Sequence, residues 1–389
     1  MKHTFASTYK QKDGPVYLDC NATAPIEPVV RDAVLQWMTD ELGNAGSRTH
    51  EYGLRAKRAV QRARDQVANV VDGIGDEVVF TSGATESNNL ALLGLAEHGV
   101  ETNRRHIIST AIEHKAVLEP LEALEARGFS VTLVPPNEKG LVSANSIKDA
   151  LRTDTLYVSV MHANNETGAI QPLAEIAAAL EGHDAFFHVD AAQGYGKDLE
   201  RLRSKRIDLI SVSGHKIYGP LGIGALIARR RGFKRPPLKA LMYGGGQERG
   251  LRPGTLPVPL IVGLGVAAET ALKDQASRQK RNRDIRQKAL AALEPMGIHM
   301  HSDPDHTLSH VMNFSVRDVD SEAVMVALKD VAAVSNGSAC TSQSYSPSHV
   351  LEAMGLPEEA VSGAIRVSWS HLTPDVDWPL LAARLESLR

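Results

Sequence analysis

The 389-residue sequence contains few cysteines, few aromatic residues and no long apolar segment. Its only cysteines are Cys20 and Cys340, which excludes a disulfide framework and is typical of a reducing compartment. Two cysteines without further ligands at a recognisable spacing also predict no zinc site. No segment is apolar for long enough to cross a bilayer, and no signal peptide pattern opens the chain. We therefore expect a soluble, cytoplasmic protein with no membrane association.

The sequence also lacks a strong charge of either sign, because its formal net charge is only −3. No global field would hold such a chain on nucleic acid, so we expect no direct nucleic-acid binding. Two local basic runs do occur, at 229–235 and 278–288. We interpret each as a solvated face, with a docking surface for an acidic partner as the alternative.

Short apolar runs alternate with helical patterns through the first two thirds of the chain. The strand candidates are 77–82, 105–110, 130–135, 155–161, 185–190, 207–212 and 223–228. The helical patterns between them are 86–97, 116–127, 146–151 and 173–181. This alternation predicts an α/β fold with a mostly parallel, seven-stranded sheet covered on both faces. Polar residues that follow the strands should then meet in one crevice at the carboxyl edge of the sheet.

The pattern changes after about residue 262. A long charged helix is predicted at 266–293, followed by short strand candidates at 311–316, 331–335 and 364–369. A chain of this length exceeds a single compact core. We therefore predict a large domain at 17–262 and a smaller α+β domain at 263–389, with residues 1–16 packing on the smaller one.

A lysine and an aspartate follow two of the predicted strands. Lys216 ends the motif Ser213-Gly214-His215-Lys216 after the run 207–212, and Asp190 closes the run 185–189. This pair suggests a pyridoxal phosphate (PLP) site, with a Schiff base at Lys216 and Asp190 paired to the pyridinium nitrogen. A loop lysine and a helix-capping aspartate are the alternative. The histidine beside Lys216 and a candidate phosphate loop elsewhere favour the cofactor site.

That candidate phosphate loop is the segment 81–89, which joins a strand to a helix. Its small residues, including Ala84, leave backbone N–H groups free at a helix N-terminus, and Thr85 adds a hydroxyl. An ordinary helix cap is the alternative. His114 lies just past another strand end, where its ring either stacks on a pyridoxal face or serves as a structural histidine.

Three further polar residues have two interpretations each. Asn164 and Gln193 follow strand ends, where their amides either reach PLP or the substrate carboxylate or serve as turn formers. Arg366 lies within an apolar strand candidate, so it either grips a substrate carboxylate or faces outward. The glycine-rich segment 244–255 either approaches another group closely or forms a flexible surface loop.

The two cysteines have different surroundings in the sequence. Cys340 lies in the polar loop 336–348, which is too polar for a packing cysteine and therefore suggests a nucleophile. Cys20 directly follows the run 16–19, so we expect it to pack.

Together these motifs resemble the cysteine desulfurases of the class V aminotransferase family, which are fold type I PLP enzymes. The resemblance extends from residue 17 to residue 373. The matching motifs are, in chain order, Tyr17-Leu18-Asp19 with Asn21-Ala22-Thr23, Gly43-Asn44 with Ser47 and His50, Thr81 to Asn88, Glu113-His114, His162 with Asn164-Asn165-Glu166, His188 to Gln193, Ser213 to Lys216, Arg252 with Gly254-Thr255, and Gly337 to Ser342.

The resemblance implies a homodimer that binds PLP. It implies a Schiff base at Lys216, a pyridinium partner in Asp190, a stacking ring in His114 and a contact from Gln193 to the phenolic oxygen. The implied phosphate ligands are Ala84, Thr85, Ser213, His215 and Thr255 of the partner subunit.

The resemblance also implies the reaction. Asn164 and Arg366 hold the carboxylate of L-cysteine, and Cys340 attacks the substrate sulfur. The products are L-alanine and a persulfide on Cys340, which is passed to an acceptor protein.

The segments 18–23 and 247–259 look similar to desulfurases that serve DNA phosphorothioation. Housekeeping supply of sulfur to iron–sulfur clusters and tRNA is the competing hypothesis. Departures from the family pattern, at Asn336, Leu221 and 369–371, concern the acceptor and leave the chemistry intact.

Three competing activities are compatible with parts of this pattern: a selenocysteine lyase, a small-amino-acid aminotransferase and a non-catalytic sulfur carrier. A loop thiol argues against an aminotransferase, which needs none. The intact Lys216 and Asp190 argue against a mere carrier.

Overall fold

A computed structural model describes residues 14–336 and 347–389. The strands within these ranges are β1 (Val16–Tyr17), β2 (Val78–Thr81), β3 (His106–Thr110), β4 (Ser130–Val134), β5 (Thr155–Met161), β6 (Phe186–Asp190), β7 (Leu209–Ser213), β8 (Gly224–Ala228), β9 (His299–Met300), β10 (Val311–Ser315), β11 (Ala332–Ala333) and β12 (Ala364–Ser368). The helices are α1 (Pro28–Thr39), α2 (Glu51–Asn69), α3 (Ala84–Gly94), α4 (Ala96–Glu101), α5 (Lys115–Glu125), α6 (Ala144–Asp149), α7 (Leu173–Ala179), α8 (Val258–Leu293), α9 (Ser321–Leu328), α10 (His349–Ala353), α11 (Glu358–Ser362) and α12 (Trp378–Glu386).

The large sheet has seven strands in the order β2-β8-β7-β6-β5-β3-β4. Strands β7, β6, β5, β3 and β4 are parallel, whereas β8 is antiparallel to both β2 and β7. The predicted α/β fold with a mostly parallel sheet is therefore confirmed, and each predicted strand of this sheet has a counterpart within two residues. Every residue of β5 is buried, as expected for a central strand with helices on both faces.

Helices cover the two faces of this sheet through separate apolar clusters. On one face, Val60 and Val67 of α2 pack with Ile261 and Leu264 of α8. On the other face, α3 and α5 contribute a second cluster that contains Leu92. The parallel strands therefore all present their carboxyl ends at a single edge, which is where the polar motifs of the sequence lie.

A three-stranded antiparallel sheet, β12-β10-β9, lies in the C-terminal part of the chain. Its apolar cluster includes Phe314, Trp369 and Trp378, and it also takes in Leu18 from the N-terminal part. The strand predicted at 331–335 is shorter in the structure. There β11 has only two residues, and it pairs in parallel with β1. Buried apolar residues thus join the first described segment to the last one.

Helix α8 differs most from its prediction. It begins at Val258, eight residues before the predicted start, and so passes through the predicted domain boundary at 262/263. The division into 17–262 and 263–389 stays a prediction, and residues 1–13 lie outside the described ranges. The solvated-face interpretation is wrong for parts of both basic runs, because Arg229, Arg278 and Arg286 are buried. Within the described ranges, no helix combines the length and apolar character that a membrane span requires.

Candidate active site

A crevice with a cavity of about 390 Å³ lies at the carboxyl edge of the large sheet. Nine residues predicted for the site line it. They are Ala84, Thr85, His114, Asp190, Gln193, Ser213, His215, Lys216 and Arg366. Because the parallel strands end together, residues from distant parts of the chain converge here.

Lys216 lies in a single 3₁₀ turn, Gly214–Lys216, that directly follows β7. Its ammonium group donates to the carbonyl oxygens of Asn21 and Ala22. The turn is tight at Gly214, where an added Cβ would lie 2.9 Å from the carbonyl oxygen of Pro220. The chain thus presents the amine of Lys216 to the crevice and supports it with backbone acceptors.

Asp190 is the last residue of β6 and is buried. Its Oδ2 accepts a hydrogen bond of 2.7 Å from Nδ2 of Asn88, and its Oδ1 accepts one of 3.0 Å from the backbone N–H of Ala192. Both oxygens are therefore fixed in orientation. Asn88 belongs to the motif 81–89, but no local signal in the sequence pairs it with Asp190.

The N-terminus of α3 forms one end of the crevice. Its N-cap residue is Gly83, which has no side chain to cap the helix, so an ordinary side-chain cap is not observed. The loop before α3 packs closely on β8, since a Cβ added to Gly224 would lie 2.6 Å from Cα of Gly83. Glu86 fixes the loop by accepting from the backbone N–H of Ser82 at 2.7 Å and from Nε of Arg252 at 2.9 Å. The glycine-rich segment 244–255 is thereby tied to the helix terminus.

Two histidines beside the crevice are held in the neutral form. Burial lowers the pKa of His114, whose Nδ1 accepts from the backbone N–H of Ala116 at 3.0 Å and so fixes the ring at the start of α5. Burial, reinforced by the charge of Lys216, lowers the pKa of His215 to about 4. His215 Nδ1 lies 3.1 Å from Oγ1 of Thr23. A neutral ring at each place suits stacking and single hydrogen bonds rather than charge pairing.

Glu113 lies next to His114 and is fully buried. Burial raises its pKa to about 8, even though its Oε1 accepts from Thr110 Oγ1 at 2.8 Å and from the backbone N–H of Met161 at 2.7 Å. The carboxyl is therefore neutral at pH 7, and it joins β5 to the turn that holds His114. The sequence pattern assigned no role to Glu113 itself.

Arg366 and Asn164 have different positions relative to the crevice. Arg366 lines it, with Nη2 2.7 Å from Asp19 Oδ1 and Nη1 donating to the carbonyl oxygen of Asn165 at 3.0 Å. Asn164 is buried behind the lining, where its Oδ1 accepts from the backbone N–H groups of Glu166 and Thr167. These bonds match the turn-forming interpretation of Asn164, and its neighbour Asn165 lines the crevice instead.

Two further site predictions, Thr255 and Cys340, have different outcomes. Thr255 is exposed and does not line the crevice. Cys340 lies outside the described residues. Cys20 is buried, and burial raises the pKa of its thiol to about 12, as expected for a packing cysteine.

Residues 16–377 match the aminotransferase class-V family. The chain belongs to this family. Similar members include a cysteine desulfurase IscS from Methylococcus capsulatus, 45% identical over 372 residues that cover 94% of this chain and 91% of the relative. The crystal structure of DndA from Streptomyces lividans is 51% identical with a TM-score of 0.80, covering 93% of this chain and 99% of that one. A structure of SspA in complex with cysteine is 37% identical with a TM-score of 0.80, covering 91% and 98%.

The donor set of this class-V aminotransferase family member fits PLP. Three amide oxygens that line or adjoin the crevice have no partner among the described residues. They belong to Asn21, Asn88 and Gln193. Together with the amine of Lys216, the fixed carboxylate of Asp190 and the uncapped start of α3, they supply a polar contact for each end of a phosphorylated pyridine ring.

Proposed function

We propose that this protein is a PLP-dependent cysteine desulfurase that converts L-cysteine to L-alanine and transfers the sulfur to Cys340 as a persulfide. One observation supports this most strongly: Lys216 and the doubly fixed carboxylate of Asp190 line the same crevice from the ends of adjacent parallel strands. The similarity to the desulfurase of M. capsulatus and to SspA solved with cysteine supports the substrate.

PLP, when bound, supplies an electron sink that weakens the bonds at the α-carbon of an amino acid. In this proposal Lys216 would hold the cofactor covalently, and its amine would move protons at the substrate. Asp190 would pair with the ring nitrogen, and the hydrogen bond from Asn88 fixes the direction of its carboxylate. His114 would cover one face of the ring, and Gln193 would contact its phenolic oxygen.

The other end of the cofactor would lie at the start of α3. Here the backbone N–H groups at Ala84 and Thr85, at the start of α3, would bind the phosphate together with the positive end of the helix dipole. Ser213 and His215 line the same region and add donors. We propose that Thr255 of the partner subunit completes this set in a closed two-fold homodimer.

The substrate carboxylate would bind at Arg366. Its Nε is buried and has no partner among the described residues, while Asp19 and the Asn165 carbonyl fix the rest of the guanidinium group. An arginine held in this way is already oriented for an incoming carboxylate. Asn164, predicted as a second ligand, would act by positioning the loop that presents Asn165.

The sulfur step uses the thiolate of Cys340. It attacks the substrate sulfur, so that an S–S bond forms while the Cβ–S bond breaks and its electron pair stays with carbon. Protonation of that carbon gives alanine, and the enzyme retains the persulfide. An acceptor protein in the cytoplasm would then take the terminal sulfur.

We propose DNA phosphorothioation as the pathway that this sulfur serves. The 51% identity to DndA over 93% of the chain supports this choice. Deleting the gene should remove phosphorothioate linkages from DNA and leave iron–sulfur enzymes active. Collapsed iron–sulfur activity with unchanged DNA sulfur would instead identify a housekeeping desulfurase.

The activity itself is tested with the purified, PLP-loaded protein. Incubation with L-cysteine should yield equal amounts of alanine and persulfide sulfur. Cys340→Ser should still bind PLP and cysteine but release no sulfur, because an alcohol cannot form a persulfide. Alanine production from selenocysteine but not from cysteine would identify a selenocysteine lyase. A protein that takes up no PLP would refute the proposal.

A further inference from the structure

A second cavity, of about 420 Å³, lies apart from the crevice and is not used by the proposed reaction. Its walls come from the turn 196–201 after β6, from the middle of α8 and from the segment 304–310. The two cavities share no lining residue. Its volume exceeds the roughly 30 Å³ that one water occupies in the liquid by more than tenfold, so it can hold a ligand larger than water.

The lining of this second cavity is strongly cationic. Five of its described lining residues are lysine or arginine, against a single carboxylate at Asp198. The cationic residues are Lys197, Arg201, Arg278, Arg283 and Arg286. Asp198 already has two partners, since its Oδ2 lies 2.8 Å from Nη1 of Arg201 and 2.9 Å from Nε2 of His162. An excess of positive charge in a concave site attracts anions.

Two of these arginines are almost fully buried with unused donors. Arg278 is 5% exposed and Arg286 is 8% exposed. Nη2 of Arg286 has no partner among the described residues, although its Nη1 donates to the Val311 carbonyl oxygen at 2.7 Å. Nε and Nη1 of Arg278 likewise have none, while its Nη2 pairs with Glu27 at 2.6 Å. Buried charged donors without acceptors are costly, and a bound anion would satisfy them.

Lys197 adds a third donor to the lining of this cavity. Its Nζ lies 3.1 Å from Nε2 of His310. Desolvation and the nearby charge of Lys216 lower the pKa of Lys197 to about 7, while the adjacent thiol of Cys20 acts in the opposite direction. Desolvation, with the charges of Lys197 and Arg286, keeps His310 neutral by lowering its pKa. The amine is thus able to take up a proton when an anion arrives.

We propose that this second cavity binds a phosphate-type oxyanion between Arg278, Arg286 and Lys197. Planar guanidinium groups bind tetrahedral oxyanions through paired hydrogen bonds, and a lysine adds a point charge. Apolar atoms of Leu290, Pro304 and Leu308 also line the cavity and leave room for an organic body attached to the phosphate.

Calorimetric titration of the PLP-loaded protein tests this proposal. With PLP bound, the phosphate end of the crevice is filled, so added inorganic phosphate reports on the second cavity. Phosphate should bind saturably, with one site per chain, above a sodium chloride control of equal ionic strength. Phenyl phosphate is the second probe. Tighter binding of phenyl phosphate would assign an organic phosphate as the ligand, and equal or weaker binding would assign the inorganic ion.

Three variants locate the bound anion. Arg286→Gln should weaken binding by about tenfold or more, as expected for the loss of a charged hydrogen bond. Ser309→Asp adds a carboxylate at a partly exposed lining position and should abolish binding without disturbing the buried arginines. Lys280→Gln is the matched control, because this lysine is exposed on the same helix and pairs only with Asp284 among the described residues.

Each variant is first compared with the wild type by thermal unfolding and by its visible absorbance, so that a folding defect is recognised. Binding that fails above the chloride control would overturn the proposal. So would binding that survives in a folded Ser309→Asp variant or that Lys280→Gln weakens equally. These outcomes do not depend on desulfurase activity, so they are distinguishable from a failure of the proposed function.

Discussion

The crevice and the second cavity are of similar size, about 390 and 420 Å³, but they are built in different ways. The crevice is lined chiefly by residues that follow successive strands, so its composition is determined by the sheet. The second cavity is lined by a turn, one face of a long helix and a distant segment. The charged residues that line the crevice are one lysine, one arginine and one aspartate, whereas those of the second cavity are one lysine, four arginines and one aspartate. The comparison indicates that strand ends predict which residues line a crevice, whereas a cavity between packed elements has no such signal.

The largest effect is expected from removing the lysine that would bind the cofactor, and it tests whether the cofactor is attached in the crevice and not in the second cavity. Lys216→Ala should abolish turnover and the visible absorption band of the bound cofactor. The reason is that Lys216 is the only lysine that lines the crevice among the described residues. Lys197→Ala, in the second cavity, should keep that band. The measurement is absorbance, followed by borohydride reduction and mass analysis of the adduct. A reduced adduct that disappears in Lys197→Ala but persists in Lys216→Ala would show that the cofactor is bound to Lys197 in the second cavity, not to Lys216.

The second prediction concerns a positioning residue of the crevice. Asn88→Ala removes the 2.7 Å hydrogen bond to Asp190, which should lower turnover by about tenfold or more, as for other bonds to a charged group. The visible spectrum and the affinity for PLP should change as well, because the carboxylate beside the ring loses its orientation. Asn89→Ala is the matched control, since Asn89 bonds only to the Thr85 carbonyl among the described residues. Equal losses in both variants would point to a helix defect.

The third prediction concerns Glu113, a carboxyl group that burial holds neutral beside the crevice. The pKa of Glu113 is about 8 in the folded protein, above the roughly 4.3 of an unfolded glutamate. Between these values only the folded state keeps the proton, so wild-type stability falls as pH rises through this window. Glu113→Gln keeps the Oε1 acceptor but has no proton to lose, so its stability should not fall with rising pH. Its free energy of unfolding at pH 8 should exceed that of the wild type by on the order of 4 kcal/mol.

Denaturant unfolding between pH 5 and pH 9 measures this difference. The advantage of Glu113→Gln should shrink towards pH 5 and level off above pH 8. The exposed Glu119 lies on α5, which begins two residues after Glu113, and Glu119→Gln should follow the wild-type curve. A constant offset at every pH would show that Glu113 does not titrate in this range.

The smallest effect is expected at Cys20. Its thiol is buried, and burial raises its pKa to about 12, so it is protonated and unreactive at neutral pH. Cys20→Ser should leave persulfide formation unchanged and cost about 1 kcal/mol of stability at most, since serine is close in size. Persulfide mapping by mass spectrometry after reaction with cysteine measures this. A persulfide on Cys20 would refute the assignment of the nucleophile to Cys340.

Much of the fold and the crevice could be predicted because both depend on local patterns. Alternating apolar runs determine strands, and parallel strands place their following residues at one edge. Asp190 and Lys216 could be predicted for this reason. Helices α1 and α2 were not predicted, since they precede the first strand of the alternating pattern. The start of α8 was placed too late, because its first turns are apolar on all sides and show no helical period.

The sequence by itself determined which polar motifs follow strands, and therefore most of the predicted residues that line the crevice. Only the tertiary structure decided which neighbour in Asn164-Asn165 faces that crevice, that Asn88 fixes Asp190, and that Glu113 is neutral. It also decided that Arg278 and Arg286 are buried rather than solvated. The physical reason is that a hydrogen-bond partner, a desolvated charge or a cavity depends on atoms far apart in the chain. A periodic pattern records which side of an element is apolar, but not which element will cover it.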